Sequence, residues 1–299
     1  MAFKSGFVSI IGRPNVGKST LLNCIVGEKI AIMTNKPQTT RNTIRAIYHE
    51  EEAQVVFMDT PGIHKPKHKL GEYMVNAAKT TFNEVDLVLF MVDDSAKIGP
   101  GDQYILDMLQ EVKTPVFVVI NKLDLLMPED FEVIYNQYMA LPQVTEVYGI
   151  SALHKSNVDG LMKAVVNTLN EGPMFFPNDM VTDQPERAIV SEIIREKLLL
   201  YLEDEIPHGV AVSIESFKER KGKPLVDIQA TIICEKKSHK GIIIGKQGRK
   251  LKGIGKSSRE DIEKLLGTKV YLELWVKIKE GWRNDSSQLK NYGYDSKDL

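Results

Sequence analysis

The first half of the chain alternates two hydrophobic patterns. Short apolar runs, each ended by polar residues, recur at 7–11 (FVSII), 54–59 (QVVFMD), 85–93 (VDLVLFMVD), 114–121 (TPVFVVIN) and 145–151 (TEVYGIS). Runs of this length, rich in Val, Ile and Phe, suit strands buried on both faces; a strand with one wet face alternates apolar and polar positions instead. Between them, apolar residues recur every three or four positions: LLNCIV after Thr20, EYMVNAAKTTF over 72–82, DQYILDMLQEV over 102–112 and LMKAVVNTL over 161–169. That is the period of a helix with one apolar face. The alternation predicts a doubly wound α/β domain over residues 1–172, a mostly parallel sheet with helices on both sides.

The pattern changes near residue 171. The stretch EGPMFFPNDMVTDQP, 171–185, holds three prolines and few signals of either period. Residues 173–186 therefore read as a linker, able to pack through Met174, Phe175 and Phe176. Beyond it come a helix over 188–202 and strands over 210–220 and 224–235, joined by Lys-Gly-Lys as a hairpin turn. A glycine-rich basic stretch, a helix over 257–266 and a strand over 269–279 follow. The order α-β-β-α-α-β predicts a separate α+β domain over 187–299. The 188–202 helix has apolar residues on more than one face, which fits core or a membrane-surface role, with core favoured; Trp275 and Trp282 could stack on bases, with core packing favoured for Trp275.

Composition changes this picture in one respect. The chain has 299 residues, 42% hydrophobic and 26% charged, as expected for two globular domains. No apolar run approaches the roughly 18 residues of a membrane span, and the N-terminus lacks the apolar stretch of a signal peptide. The two cysteines, Cys24 and Cys234, suit a reducing compartment. The expected location is the cytoplasm. The net charge of −1 hides an asymmetry: residues 1–185 carry 16 Lys and Arg against 22 Asp and Glu, and residues 186–299 carry 23 against 18. From Lys236 to Arg259 there are nine basic residues and no acidic one. A solvated helix face usually mixes signs, so this run points to a polyanion.

Candidate chemistry in the first half falls at strand ends. Gly12-Arg-Pro-Asn-Val-Gly17-Lys18-Ser19 fits G-x-x-x-x-G-K-[ST] and lies between a strand and a helix. Backbone N–H groups of such a loop wrap phosphates, Lys18 reaches the β- and γ-phosphates, and the Ser19 hydroxyl ligates Mg²⁺ beside Thr20. Asp59-Thr-Pro-Gly62 ends the second strand, where Asp59 holds Mg²⁺ through water and the Gly62 N–H approaches a γ-phosphate. Asn121-Lys122-Leu-Asp124 follows the fourth. A carboxylate there accepts from N1–H and the 2-amino group of guanine, groups that adenine lacks at that edge, and Lys122 packs its stem along the base. Ser151-Ala152 would offer a backbone N–H to the guanine O6.

Together these residues resemble the G domain of translation-factor-type GTPases. The resemblance places Pro37-Gln-Thr-Thr-Arg41 at switch I, where a threonine completes the Mg²⁺ shell. Thr40 is favoured and Thr39 is close behind; the sequence does not separate them. One departure matters. Where Ras-like enzymes place a water-orienting glutamine, this chain has Ile63, so slow intrinsic hydrolysis is expected. Asn15 occupies the position at which potassium-activated relatives help to hold K⁺ against the phosphates. The resemblance thus implies GTP/GDP and Mg²⁺ as ligands, K⁺ stimulation, and Lys18, Thr40, Gly62 and Asn15 as the groups acting in hydrolysis.

The segment GIIIGKQGRK, 241–250, lacks a GK[ST] ending and is not a second nucleotide loop. Gly245-Lys246-Gln247-Gly248 resembles the G-x-x-G loop of a KH domain, a module that clamps a few single-stranded nucleotides. Lys246, Arg249 and Lys250 supply charge, and Ile242–Ile244 would line the groove beneath the bases. A G domain followed by a type II KH domain, with PQTTR, DTPGIHKP, NKLD and IIIGKQGRK in place, resembles the Era family of bacterial ribosome-assembly GTPases over essentially the whole chain. That resemblance implies a monomer that binds the 3′ end of 16S rRNA and acts in 30S subunit maturation, with weak peripheral contact at the inner face of the membrane. The competing expectation is a signalling GTPase whose second domain binds a protein.

Overall fold

The structure is a computed structural model and describes residues 2–34, 36 and 39–295. Pro37 and Gln38, part of the segment expected as switch I, lie outside the described residues. The chain divides into two compact units between Asp183 and Gln184.

In the first unit the order is β1 (Lys4–Gly12), α1 (Lys18–Val26), β2 (Ile44–Glu50), β3 (Ala53–Asp59), α2 (Lys69–Thr80), β4 (Leu87–Val92), α3 (Pro100–Leu109), β5 (Val116–Ile120), α4 (Pro128–Met139), β6 (Glu146–Gly149) and α5 (Val158–Thr168). The six strands run β2-β3-β1-β4-β5-β6 across one sheet. All neighbours are parallel except β2 and β3. Every residue of β4 is buried. Leu87, Leu89 and Met91 enter one core, with α1 and α5, and Val88, Phe90 and Val92 enter the other. This two-sided burial is why the sequence shows unbroken apolar runs. With β1 flanked by β3 and β4, winding reverses about β1, and the carboxyl ends of β1, β3, β4 and β5 open on one crevice.

Two elements escape the apolar-run criterion. β2 is an edge strand whose polar positions face outward. α4 buries little beyond Ile134 and Tyr138, too few positions to show a period. The segment expected as a linker is held to the first unit as far as Asp183. Gln54 accepts from the Phe175 and Phe176 N–H groups at 2.7 and 3.0 Å and donates to Phe176 O at 2.7 Å. The Ile47 N–H donates to Val181 O at 2.9 Å, and Arg45 pairs with Asp183 at 3.0 Å.

The second unit contains α6 (Glu186–Tyr201), β7 (Ala211–Glu219), β8 (Leu225–Cys234), α7 (Lys237–Ile244), α8 (Arg249–Leu266), β9 (Lys269–Ile278) and α9 (Ser286–Asn291). Its sheet runs β7-β8-β9, with β7 antiparallel and β9 parallel to β8. Core residues of α6 (Val190, Ile194, Leu198) meet Ile228, Ala230 and Ile232 of β8 and Ile254 and Ile262 of α8. No helix among the described residues is long and apolar enough to cross a membrane. α8 begins at Arg249, eight residues before the helix expected from 257: its first two turns are basic and glycine-bearing, and bury only Ile254.

The two tryptophans reverse the expectation. Trp275 is 61% exposed, because β9 turns Val270, Leu272, Leu274 and Val276 inward and Tyr271, Glu273, Trp275 and Lys277 outward. Trp282 is fully buried, donates from Nε1 to Gly209 O at 3.0 Å and packs against Tyr292 and Tyr294. Trp282→Ala should therefore cost about 3–5 kcal/mol in chemical denaturation, and Trp275→Ala under about 0.5 kcal/mol. Equal costs would contradict this assignment.

Candidate functional site

The loop from β1 to α1 turns through Asn15, held in the left-handed region at φ 67°, and Gly17 at φ 105°. It closes around the Lys18 ammonium, which donates to Gly12 O at 3.1 Å and Arg13 O at 2.9 Å. Gly12 O also accepts the Ile63 N–H at 3.1 Å, tying the loop to the segment after β3. Gly62 lies against the same loop: a Cβ there would stand 2.9 Å from the Pro14 backbone, so this close approach requires glycine. Outside the loop, Arg13 bonds Asp102 at 2.7 Å and Asp93 at 2.9 Å, fixing the loop to α3 and to the end of β4.

Ser19, Thr40 and Asp59 come together. The Ser19 hydroxyl donates to Asp59 Oδ2 at 2.8 Å and lies 3.0 Å from the Thr40 hydroxyl, which reaches Asp59 Oδ2 at 3.3 Å. Asp59 is fully buried, and its Oδ1 has no hydrogen-bond partner. Thr39 also lines the cavity, but its hydroxyl bonds Lys36 O at 2.7 Å and lies 2.8 Å from the Thr34 hydroxyl. The geometry thus separates two threonines that the sequence leaves equivalent. Burial pushes the Asp59 carboxyl up to about 6, against the pull of Lys18, and pushes Lys18 down to about 8. Three hard oxygen groups with one buried carboxylate oxygen unsatisfied form a donor set that fits Mg²⁺.

The base end is built from β5 and the loop after β6. Asn121 Nδ2 donates to Val16 O at 2.8 Å, and its Oδ1 accepts the Ala152 N–H at 2.9 Å. Lys122 has left-handed backbone at φ 65° and places Nζ 3.5 Å from Asp94. Asp124 accepts from the Ser151 hydroxyl at 2.5 Å, which holds its carboxyl below the usual range. Of the N–H groups expected for O6, that of Ala152 meets Asn121 Oδ1 and that of Ser151 meets Ser156 O at 3.1 Å. Asn121 so ties the two base loops and the phosphate loop into one frame.

These groups border a cavity of about 490 Å³. Asn15, Gly17, Lys18, Ser19, Thr20, Thr40, Gly62, Asn121, Lys122, Asp124 and Ser151 line it, while Gly12, Asp59 and Ala152 stand behind them. Pattern reading misses Pro14, Ile32, Met33, Thr34, Leu125 and Leu153, which also line it. Leu125 and Leu153 are well exposed, and each directly follows a base motif. An apolar residue at such a position was the available signal. Asn23 is also missed. It bonds Ala31 O and accepts from the Ile30 and Ala31 N–H groups, shaping the segment that leads toward Thr40.

In the second unit, α7 ends at Gly245, with φ 72° and ψ 177°, and α8 begins after Gly248, with φ 74°. A Cβ on Gly245 would lie 2.7 Å from Lys250 Cβ, so the turn packs directly on the first turn of α8. Lys246, Gln247 and Arg249 are exposed, and Lys250 is half-buried. The isoleucines divide: Ile242 is exposed and Ile244 half-buried, but Ile243 is fully buried in the core and unavailable to a groove. Helical spacing turns Ile243 away from its neighbours.

The buried carboxylate has a measurable cost. Because Asp59 titrates near 6 when folded, against about 3.9 for an ordinary Asp, the folded state binds its proton more tightly than the unfolded state. Stability therefore falls as pH rises from about 4 through 6 and stays at the lower level above that. In nucleotide-free protein, Asp59→Asn should raise the thermal midpoint by several degrees at pH 7.5, and the gain should vanish near pH 4. An equal gain at both pH values would show that ionisation of Asp59 is not the cause.

Comparison with known proteins agrees with both halves. The family model for 50S ribosome-binding GTPase matches residues 7–122, and the KH domain model matches 205–283. GTPase Era of Alkaliphilus oremlandii is 63% identical, covering 99% of this chain and 100% of that one; GTPase Era of Clostridioides difficile is 61% identical over the same shares. The crystal structure of Era in complex with MgGDPNP and nucleotides 1506–1542 of 16S ribosomal RNA superposes with a TM-score of 0.94 at 41% identity, covering 98% of this chain and 99% of that one. An Aquifex aeolicus Era variant bound to GDP.AlF4− gives the same TM-score and identity. With a phosphate loop, a base-reading frame and a KH loop in one chain, and full-length relatives of that kind, the chain belongs to the Era family of GTPases.

Proposed function

We propose that this chain is a GTP-controlled switch that holds the 3′ end of 16S ribosomal RNA on its KH loop and acts in 30S subunit maturation. The observation that carries this reading is the Era structure that holds MgGDPNP and nucleotides 1506–1542 together, on a chain alike over its whole length. The exposed basic groups around Gly245–Gly248 and the acid-free run from Lys236 to Arg259 support the RNA half.

In the nucleotide half, Ser19 and Thr40 with Asp59 behind them would hold Mg²⁺, whose bound chemistry is to offset charge on the β- and γ-phosphates. Lys18 sits in the same loop to pair with those phosphates. Gly62, at the cavity wall against the phosphate loop, would offer its N–H to the γ-phosphate, and Asn121 and Asp124 would select guanine. Ile63 is buried and carries no hydrogen-bonding side chain, so it does not orient water. Hydrolysis is accordingly slow unless charge is added, and Asn15, in its left-handed turn at the cavity wall, is the group proposed to hold K⁺ there. We place the protein in the cytoplasm as a monomer, with weak peripheral contact at the inner membrane face.

Control by GTP requires RNA affinity to differ between nucleotide states, and RNA must then favour GTP by the same factor. Fluorescence anisotropy with a single-stranded copy of the rRNA 3′ end should show binding at least about fivefold tighter with GDPNP than with GDP. Lys246→Asp/Gln247→Asp should abolish it; these exposed positions avoid the packing damage that a Gly245 substitution causes. Equal affinity in both states would remove the switch.

Guanine selection has its own check. Asp124→Asn should weaken GDP binding by two orders of magnitude or more and restore tight binding for xanthosine diphosphate, whose 2-position is an acceptor. Unchanged preference for GDP would place the base elsewhere.

A further inference from the structure

The segment that carries Thr40 is tied down at points outside the Mg²⁺ donor set. At its root, Asn23 of α1 accepts the Ile30 and Ala31 N–H groups at 3.0 and 2.9 Å and donates to Ala31 O at 2.7 Å. At its far end the chain enters β2 at Ile44, which stands opposite Asp59 in the strand register. Between Thr40 and that strand, the Tyr73 hydroxyl of α2 donates to Asn42 Oδ1 at 3.1 Å. Arg41, between Thr40 and Asn42, is buried.

The bond to Asn42 shortens the free chain. A residue ranges over at most roughly 3.5 Å per step from the nearest fixed point. Thr40 lies four residues before Ile44 and two before Asn42, so the bond halves that range, to about 7 Å. The donor is itself fixed. Tyr73 is 9% exposed, one helical turn before the buried Ala77, and Ala78 of the same helix enters the core beneath β4. A buried phenol hydroxyl needs a hydrogen-bond partner, and here it meets one on the segment that presents Thr40. α2 is also the helix that follows Gly62. Thr40 and Gly62 are the two groups read as answering to the γ-phosphate, one through Mg²⁺ and one directly, and they lie on separate segments. The Tyr73–Asn42 bond joins the first segment to the helix that follows the second.

We infer that Tyr73 is a positioning residue for the GTP-bound form: through Asn42 it holds Thr40 against Ser19 and Asp59 and latches the segment before β2 to α2. With GDP there is no γ-phosphate to engage that segment, and the latch adds nothing to nucleotide affinity. The inference rests on the reading of Thr40 as a Mg²⁺ group beside the γ-phosphate, and it adds the residue that keeps Thr40 in place.

The test measures affinity of the full chain for mant-labelled GDPNP and GDP in the presence of Mg²⁺. Tyr73→Phe keeps the ring and removes only the hydroxyl. It should weaken GDPNP about fivefold, the size of one buried hydrogen bond, and leave GDP unchanged. Loss of packing alone would weaken both. Asn42→Ala should also weaken GDPNP, and the double variant should be no weaker than Asn42→Ala, because the partner is already gone. Unchanged GDPNP affinity in Tyr73→Phe, equal weakening of both nucleotides, or full additivity of the two single variants each overturns the latch. Thr40→Ala checks the underlying reading and should weaken GDPNP far more than GDP. If it leaves the two in their wild-type ratio, the Mg²⁺ role of Thr40 fails instead, and the Tyr73–Asn42 cycle still decides the latch.

Discussion

The first unit depends on burying two opposite charges at the end of a parallel sheet. Lys18 and Asp59 are both out of solvent, each displaced from its ordinary titration, and neither is held by the other alone. The lysine leans on the Gly12 and Arg13 carbonyls, and the carboxylate on the Ser19 and Thr40 hydroxyls. Removing charges from water costs several kcal/mol per ion unless partners replace the lost solvent. Here the partners are incomplete by one carboxylate oxygen. A protein built only for stability would place apolar residues there. The remaining architecture serves this arrangement: two-sided burial of β1, β3 and β4 makes their ends rigid, and Arg13 braces the loop from outside.

The second unit meets the opposite problem with less charge burial. Its anionic ligand is approached by exposed side chains around a backbone turn whose shape comes from packing, since Gly245 lies against Lys250. The turn is therefore set before any ligand arrives, and binding loses little entropy in ordering it. One unit offers phosphate buried groups and a cavity, the other exposed groups around a turn. Salt should affect the second far more than the first.

Much of this was legible in the chain itself because burial on both faces of a sheet writes continuous apolar runs, and phosphate loops write glycines at fixed spacing. What was not legible shares a cause. β2 and α4 each bury too few residues to leave a period. Thr39 and Thr40 differ only in which way a loop turns. Trp275 and Trp282 have the same side chain, and their burial is decided by strand parity in one case and by the pairing with Gly209 and Tyr292 in the other. Nor does the sequence show that Asn121 reaches across to both Val16 and Ala152.

The strap from Glu171 to Asp183 has a further consequence, for solubility. β2 is an outer strand of the six-stranded sheet, and its side away from β3 would otherwise display unpaired backbone groups, a template for joining another chain. The strap takes up part of that side: Val181 accepts from Ile47, and the Thr182 hydroxyl donates to Arg45 O. The opposite edge, β6, is only four residues long. The stretch that reads as a mere tether thus closes the sheet against self-association, and a truncation of the first unit keeps that protection only if it ends beyond Asp183.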